Sequence, residues 1–191
     1  MSMESSNNQT DTTNPASTNS ANGENGQTPP GQSVEMQQIM AQALDVLMTG
    51  GNLYSLRGMT EQDVEAVYAL GHTHYTTGNY NEAENIFRGL CLLNHLSQRN
   101  WLGLGAAQQM QKKYQPALSS YSYAQVLDMA DPRPLMHIYE CLMGLQDYPK
   151  AMESLEGLIK LTVNNPQHAA LHAKAEGLLG ALRDALKKAD A

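Results

Sequence analysis

The sequence has few of the features that mark secreted, membrane-spanning or nucleic-acid-binding proteins. It contains two cysteines in 191 residues, which excludes a disulfide framework and favours free thiols in a reducing compartment. No run of 18 apolar residues occurs, so no membrane-spanning helix is predicted. Basic residues number 12 against 19 acidic ones, for a formal net charge of −7. Without a basic stripe, this balance argues against nucleic acid and anionic membranes as partners.

Residues 1–33 also lack the side chains needed for a folded core. They consist mainly of Ser, Thr, Asn, Gln, Gly and Pro. Such a segment cannot offset the entropy lost on ordering, so we expect a disordered polar tail. The absence of basic residues and of an apolar stretch there argues against a secretory signal or a transit peptide.

The remainder of the chain repeats itself at a regular interval. Glycine, tyrosine, alanine and a large apolar residue recur in phase: Gly71 and Gly105; Tyr80, Tyr114 and Tyr148; Ala83, Ala117 and Ala151; Phe87, Tyr121 and Leu155. This interval and the Trp-x-x-Leu-Gly pattern of residues 101–105 are the signature of the tetratricopeptide repeat. We therefore predict an all-α fold with three tandem repeats forming a short superhelix, at about residues 64–97, 98–131 and 132–163.

Two further helices are predicted outside the repeats. Residues 34–48 have apolar side chains at three- and four-residue steps, which indicates an amphipathic helix ended by Thr49-Gly50-Gly51. Thr60 and Asp63 form a capping-box pattern at the start of the first repeat. Asn165-Pro166 begins a C-terminal helix over about residues 166–188, which would cap the array. The predicted repeat domain is thus 34–191.

One face of the first helix of each repeat is predicted to line a groove. It mixes apolar with polar side chains, and such a surface suits an extended peptide. The predicted lining is Glu65, Tyr68, His72 and Tyr75 from the first repeat, Arg99, Leu102, Ala106 and Gln109 from the second, and Arg133, Met136, Glu140 and Met143 from the third. The alternative is that these apolar residues pack against the leading or closing helix.

Neither catalysis nor metal binding is predicted. His168 and His172 are spaced for one helix face, but no third ligand accompanies them. Cys91 and Cys141 lie within helical patterns and lack a motif that would activate a thiol. No phosphate-binding loop, nucleophile elbow or carboxylate pair is present. We therefore expect no enzyme activity and no cofactor.

Beyond the generic repeat, two stretches of sequence are more distinctive. One contains Leu-Cys91-x-Leu-x-His95, and the other contains Tyr121-Ser-Tyr123-Ala followed by Asp131-Pro-Arg-Pro134. Over about residues 35–162, the chain closely resembles the class II chaperones of type III secretion systems, which hold translocator proteins. The tail and the final helix fit this resemblance less distinctively, and Lys112 replaces the usual loop glycine of the second repeat, so its turn is expected to differ.

The resemblance implies a cytoplasmic chaperone of a Gram-negative bacterium. Its groove would bind an extended N-terminal segment of a hydrophobic translocator, with a Pro-x-Leu-x-x-Pro-like pattern, and keep the translocator soluble. Tyr68, Tyr75 and Tyr80 match family positions at the groove or its edge. The leading helix is expected to form a homodimer contact through Met36, Ile39, Met40, Ala43, Leu44 and Leu47.

Two other functions remain open at this stage. A generic repeat adaptor would read a peptide with a terminal carboxylate, for which only Arg99 and Arg133 are available in the predicted groove. Some relatives act as co-activators of an AraC-type transcription regulator, although this sequence offers no DNA-reading element of its own. Neither function requires a cofactor or insertion into a membrane.

Overall fold

The helices of the protein follow the repeat period of its sequence. The computed structural model describes residues 30–49 and 53–189, and every regular element in these ranges is helical. The α-helices are α1 Pro30–Met48, α2 Glu61–Thr76, α3 Tyr80–Leu93, α4 Gln98–Met110, α5 Tyr114–Leu127, α6 Arg133–Gly144, α7 Tyr148–Thr162 and α8 Ala169–Ala189. Short 3-10 turns cover Ser55–Arg57 and Pro166–His168. The predicted all-α repeat fold is confirmed, with α2–α3, α4–α5 and α6–α7 as its three helical pairs.

The chain divides into two units, Met1–Gln37 and Gln38–Ala191. In the first unit, the structure describes residues 30–37, which form the beginning of α1. The second unit contains the rest of α1 and all three helical pairs.

Helix α1 begins earlier than predicted and ends where predicted. The predicted start at Val34 is too late by about one turn, since the helix starts at Pro30. Proline is well tolerated at the first helical position because its missing N–H would have no intrahelical partner there. The disordered tail predicted for residues 1–33 otherwise lies outside the described residues. At the other end, the Thr49 hydroxyl donates to the Asp45 carbonyl at 2.8 Å as the helix stops.

Both predicted helix caps are present. The backbone N–H of Asp63 donates to the Thr60 hydroxyl at 3.2 Å, and the Thr60 N–H donates to the Asp63 carboxylate at 2.8 Å. This reciprocal pair satisfies backbone donors that the first turn of α2 would otherwise leave unpaired. Near the C-terminus, Asn165 accepts the Gln167 N–H at 3.0 Å and so caps the 3-10 turn that leads into α8.

The turn between the two helices of a pair has the same backbone conformation in all three repeats. Gly78, Lys112 and Gln146 occupy the same position in successive repeats and have φ values of 82°, 59° and 60°. The left-handed region costs little for glycine and more for other residues. The expectation that Lys112 changes the turn of the second repeat is therefore wrong: the packing of the two helices imposes this conformation on a lysine and a glutamine.

Each of the first two helical pairs is held together by an aromatic ring packed against a glycine. Phe87 of α3 lies against Gly71 of α2, and Tyr121 of α5 lies against Gly105 of α4; both rings are buried. The approach is close, because a Cβ built on Gly105 would lie 2.8 Å from the Tyr121 ring. Phe87 also reaches the next repeat, where a Cβ on Gly103 would lie 2.6 Å from its ring. The aromatic ring thus connects one pair to the following one.

The closing helix covers the last pair, as predicted. Leu155 and Leu158 of α7 form a hydrophobic cluster with Ala175, Leu179 and Leu182 of α8. The opposite face of α8 is exposed. A helix of this kind ends a repeat array because it buries apolar surface on one side and meets water on the other.

Substituting Gly105 by alanine should lower the free energy of unfolding by about 1–3 kcal/mol, because the added methyl group overlaps the buried Tyr121 ring. Gly177 of α8 is the matched control, since a Cβ there would meet no atom within 4 Å. Gly177→Ala should raise stability by up to about 1 kcal/mol through helix propensity alone. Urea denaturation followed by circular dichroism measures both effects, and equal stability of the two variants would contradict the close packing.

Candidate functional site

A pocket of about 260 Å³ opens between the first helices of the three pairs. We call it the groove. Its lining comes from α2, α4 and α6, together with one ring from α3: Tyr68, His72, Tyr75, Phe87, Leu102, Gly103, Ala106, Arg133 and His137. Tyr68, His72 and Tyr75 share one face of α2 because they are spaced four and three residues apart. The repeat therefore places three equivalent helices around one concave site.

The apolar part of the groove is built on aromatic contacts. Tyr68 meets Phe87 edge-on, with ring centroids 5.4 Å apart and planes at 64°. Tyr75 makes a similar contact with Tyr80, at 5.6 Å and 63°. These contacts hold the tyrosines in place, so their rings offer apolar surface to a ligand at a small loss of side-chain entropy.

The two arginines beside the groove already have carboxylate partners. Arg99 donates to both oxygens of Glu65, at 2.7 and 2.9 Å, and its guanidinium lies 3.4 Å from the centroid of the Tyr68 ring. These hydrogen bonds lower the pKa of the Glu65 carboxyl. Arg133 is likewise paired with a carboxylate, and its Nη2 lies 2.7 Å from Asp131 Oδ2. Burial alone would raise the pKa of Asp131, but the hydrogen bonds from Arg133 outweigh that effect and lower it.

A chain of hydrogen bonds joins α5, α4 and α6 and ends at His137, which lines the groove. The Tyr121 hydroxyl donates to the Gln109 side-chain oxygen at 2.8 Å, and the Gln109 amide nitrogen donates to Glu140 at 2.9 Å. His137 Nδ1 lies 3.1 Å from the same Glu140 oxygen. The contact with His137 lowers the pKa of Glu140 and, with Gln109, outweighs the opposing effect of burial.

Nearly half of the predicted groove residues lie together in the pocket. They are Tyr68, His72, Tyr75, Leu102, Ala106 and Arg133. Glu65 and Arg99 pair with each other, and Gln109 and Glu140 belong to the chain of hydrogen bonds. Tyr80 packs edge-on against Tyr75. Whether these residues bind a peptide remains a prediction.

The prediction for Met136 is wrong. This side chain is 6% exposed and lies in the hydrophobic cluster formed with α7 and α8, so it offers no surface to a ligand. Met143 is partly buried and packs against the same cluster. Packing within this cluster of α6, α7 and α8 therefore buries Met136 and partly buries Met143. This is the alternative that the sequence left open, and here it applies to one repeat.

Three lining residues were missed from the sequence: Phe87, Gly103 and His137. Gly103 and His137 occupy the same position in successive repeats, immediately after Leu102 and Met136. At this position each residue meets the aromatic ring of the preceding pair, Phe87 in one case and Tyr121 in the other. Extending the predicted groove face of each first helix by this one position would have included both residues.

The predicted dimer face on α1 is largely exposed where the structure describes it. Ile39, Met40 and Leu44 are 58%, 65% and 61% exposed, and Ala43 is half-buried. The side chains of Met36 and Leu47 lie outside those that the structure describes.

His172, one of the two histidines considered for metal binding, has other partners, and both cysteines are buried. His172 Nδ1 lies 3.0 Å from the Thr162 hydroxyl, and its Nε2 lies 3.5 Å from Glu176. Cys91 and Cys141 are buried free thiols, as predicted, and burial raises the pKa of each to about 12. Among residues 30–49 and 53–189, no helix is long and apolar enough to cross a membrane.

Comparison with known proteins agrees with the repeat architecture. A tetratricopeptide-repeat family model matches residues 64–95 and 100–131, which cover the first two pairs. The low calcium response locus protein H of Yersinia pseudotuberculosis is 32% identical over 142 residues, covering 74% of this chain and 83% of the relative. The solved type III secretion chaperone SycD of Yersinia enterocolitica, in complex with a peptide of the translocator YopD, is 34% identical with a TM-score of 0.63. That match covers 68% of this chain and 97% of SycD.

The chain belongs to the family of type III secretion translocator chaperones. A second member, PcrH of Pseudomonas aeruginosa, has been solved with the chaperone-binding region of PopD. It is 38% identical, with a TM-score of 0.63, over 66% of this chain and 96% of PcrH. SycD has also been solved as an alternative dimer. The family resemblance inferred from the sequence is therefore confirmed.

Proposed function

We propose that this translocator chaperone holds an extended N-terminal segment of a hydrophobic translocator in the groove and keeps it soluble before export. The observation that carries the proposal is the groove itself, where aromatic and apolar side chains converge beside polar side chains from the first and third repeats. The peptide complexes of SycD and PcrH support it, because both relatives are solved with translocator segments bound.

The size of the groove suits a few anchoring side chains rather than a folded partner. Each apolar side chain that enters the groove contributes about 1.5–3 kcal/mol. Two or three such anchors, after the cost of association, correspond to a dissociation constant of about micromolar or somewhat lower. Such an affinity is high enough to protect a segment and low enough to release it.

The charge pattern supports an internal segment as the ligand rather than a peptide terminus. A terminal carboxylate needs a cation whose charge is not already balanced, but Arg99 and Arg133 are each paired with a carboxylate of the chaperone itself. Displacing Glu65 or Asp131 would leave a carboxylate without its ion pair. The role of co-activator for a transcription regulator stays a prediction drawn from the resemblance.

We also propose a cytoplasmic, non-catalytic protein. Its two cysteines are buried thiols whose pKa values are raised to about 12, so neither forms the thiolate that a nucleophile requires. Thiols kept in this reduced state fit a reducing compartment.

Removing two anchors from the groove should weaken peptide binding. We expect Tyr68→Ala/Leu102→Ala to raise the dissociation constant for a labelled YopD peptide at least about tenfold, since two apolar contacts are lost. Fluorescence anisotropy measures the change. The matched control is Leu92→Ala/Val126→Ala, which truncates two side chains that are 69% and 70% exposed and do not line the groove. Equal affinities for the groove and control variants would defeat the groove assignment.

The same peptide distinguishes a chaperone from a carboxylate-reading adaptor. Because Arg99 and Arg133 are already paired, the free acid and the C-terminal amide of the YopD peptide should bind within about twofold of each other. Competition between the two forms in one titration provides the measurement. A tenfold preference for the free acid would favour the adaptor instead.

We further propose that α1 forms a contact between two copies of the chain. An amphipathic helix gains stability by burying its apolar face, yet Ile39, Met40 and Leu44 are each more than half exposed in the single chain. The dimer of the relative SycD supports this proposal.

Charged residues on the apolar face of α1 should disrupt such a dimer. We expect Met40→Asp/Leu44→Asp to sediment as a monomer at concentrations where the wild type is a dimer, because each aspartate would be desolvated at the interface. The control is Gln42→Asp, an exposed position between the two that lies on another face of the helix. A charged double variant that remains dimeric in sedimentation velocity refutes the contact.

A further inference from the structure

His137 is a groove residue whose side chain is held by two contacts. Its ring is stacked on the buried Tyr121 ring, with centroids 4.9 Å apart and planes at 15°. Its Nδ1 lies 3.1 Å from Glu140 of the same helix, one turn further along α6. These two contacts fix both the plane and the rotation of the imidazole, so its remaining nitrogen, Nε2, has a defined direction.

The chain of hydrogen bonds also determines which nitrogen carries the proton in the neutral ring. An ionised carboxylate only accepts hydrogen bonds, and Glu140 is kept ionised by its contacts with His137 and Gln109. The Gln109 amide nitrogen faces Glu140 because the amide oxygen accepts the Tyr121 hydroxyl. Nδ1 of His137 must therefore be the donor to Glu140, and Nε2 of the neutral ring is left as an acceptor.

Arg133 provides a fixed donor beside this acceptor. It lies four residues before His137 on α6, and both residues line the groove. Its Nε donates to Asp131 at 2.9 Å, and its Nη2 lies 2.7 Å from the same carboxylate, which holds the guanidinium plane. Its Nη1 makes no hydrogen bond to the described residues. Four residues of a helix advance about 6 Å along its axis. The main-chain N–H and C=O groups on one edge of an extended peptide repeat at a similar spacing, every 6.6–6.8 Å or so.

We propose that His137 and Arg133 form an acceptor and donor pair that reads the main chain of the bound segment. His137 Nε2 accepts one peptide N–H, and Arg133 donates to a neighbouring peptide carbonyl. This inference rests on the proposed groove binding and adds a rule about which client residues can occupy the groove. The client residue whose N–H faces His137 cannot be proline, because proline has no N–H to donate. Glu140, Gln109 and Tyr121 act as positioning residues for His137.

The tautomer is testable without any client. Long-range proton–nitrogen NMR correlations of the full chain, labelled with ¹⁵N-histidine, report which nitrogen of His137 is protonated. At a pH where the spectrum shows a neutral ring, we expect a proton on Nδ1 and none on Nε2. His137→Phe identifies the signals by their loss. A proton on Nε2 in the neutral ring would overturn the proposal.

The contact with the main chain is testable with a series of N-methylated peptides. The probe is the YopD peptide, methylated at one backbone nitrogen at a time and titrated against wild type and His137→Phe. Phenylalanine keeps the stack on Tyr121 but removes the acceptor. We expect one methylated position to weaken binding to the wild type about three- to tenfold, and His137→Phe to weaken the unmodified peptide by a similar factor. In the variant, methylation at that position should then have no further effect.

His72→Phe is the matched control, because His72 also lines the groove but lies outside the chain of hydrogen bonds. In this variant the effect of methylation should persist in full. If His137→Phe binds the unmodified peptide as tightly as wild type does, or retains the whole methylation effect, the proposal is wrong. No binding of the peptide to the wild type would overturn the proposed function and the reading of the main chain together, while the NMR result still decides the tautomer.

Discussion

The structure depends on the contact between an aromatic ring and a glycine that recurs in the first two pairs. Phe87 packs on Gly71 within its own pair and on Gly103 of the next pair, and Tyr121 packs on Gly105 and then on His137. Glycine lets the helix axes approach, and the buried ring fills the remaining space. Because each ring touches two repeats, it fixes the angle between them. The first helices of the pairs are thereby brought to one side, where they form the groove.

The groove combines apolar anchoring with arginines whose charge is already balanced. Arg99 and Arg133 are paired with carboxylates of the same chain, and Arg99 also lies over the Tyr68 ring, so neither arginine requires an acidic ligand. This arrangement suits a surface that has to hold a hydrophobic segment. An unpaired arginine there would have to be desolvated on binding, at a considerable cost in free energy.

The third repeat departs from the other two because its first helix packs into the hydrophobic cluster formed with α7 and α8. A methionine at the groove position of that repeat, Met136, is buried against α7 and α8, whereas its equivalent Leu102 lines the groove. His137, the next residue, reaches the groove in its place. The order of residues along α6 alone could not reveal this exchange. It follows from how α6, α7 and α8 pack together, and the order of residues in a repeat does not specify which side chains that packing buries.

The repeat period, the helix caps and the recurrence of Gly71 and Gly105 were determined by the sequence alone, because local propensity and recurring side-chain size specify helices and their pairing. The family was also recognisable, from the two distinctive stretches around Cys91–His95 and Tyr121–Pro134. Only the tertiary structure decided that Lys112 adopts the turn conformation of glycine, that Met136 is covered, and that His137 is held by Glu140 and Tyr121. These features arise from the way the helices pack on one another, and burial and hydrogen-bond direction exist only once those helices are packed.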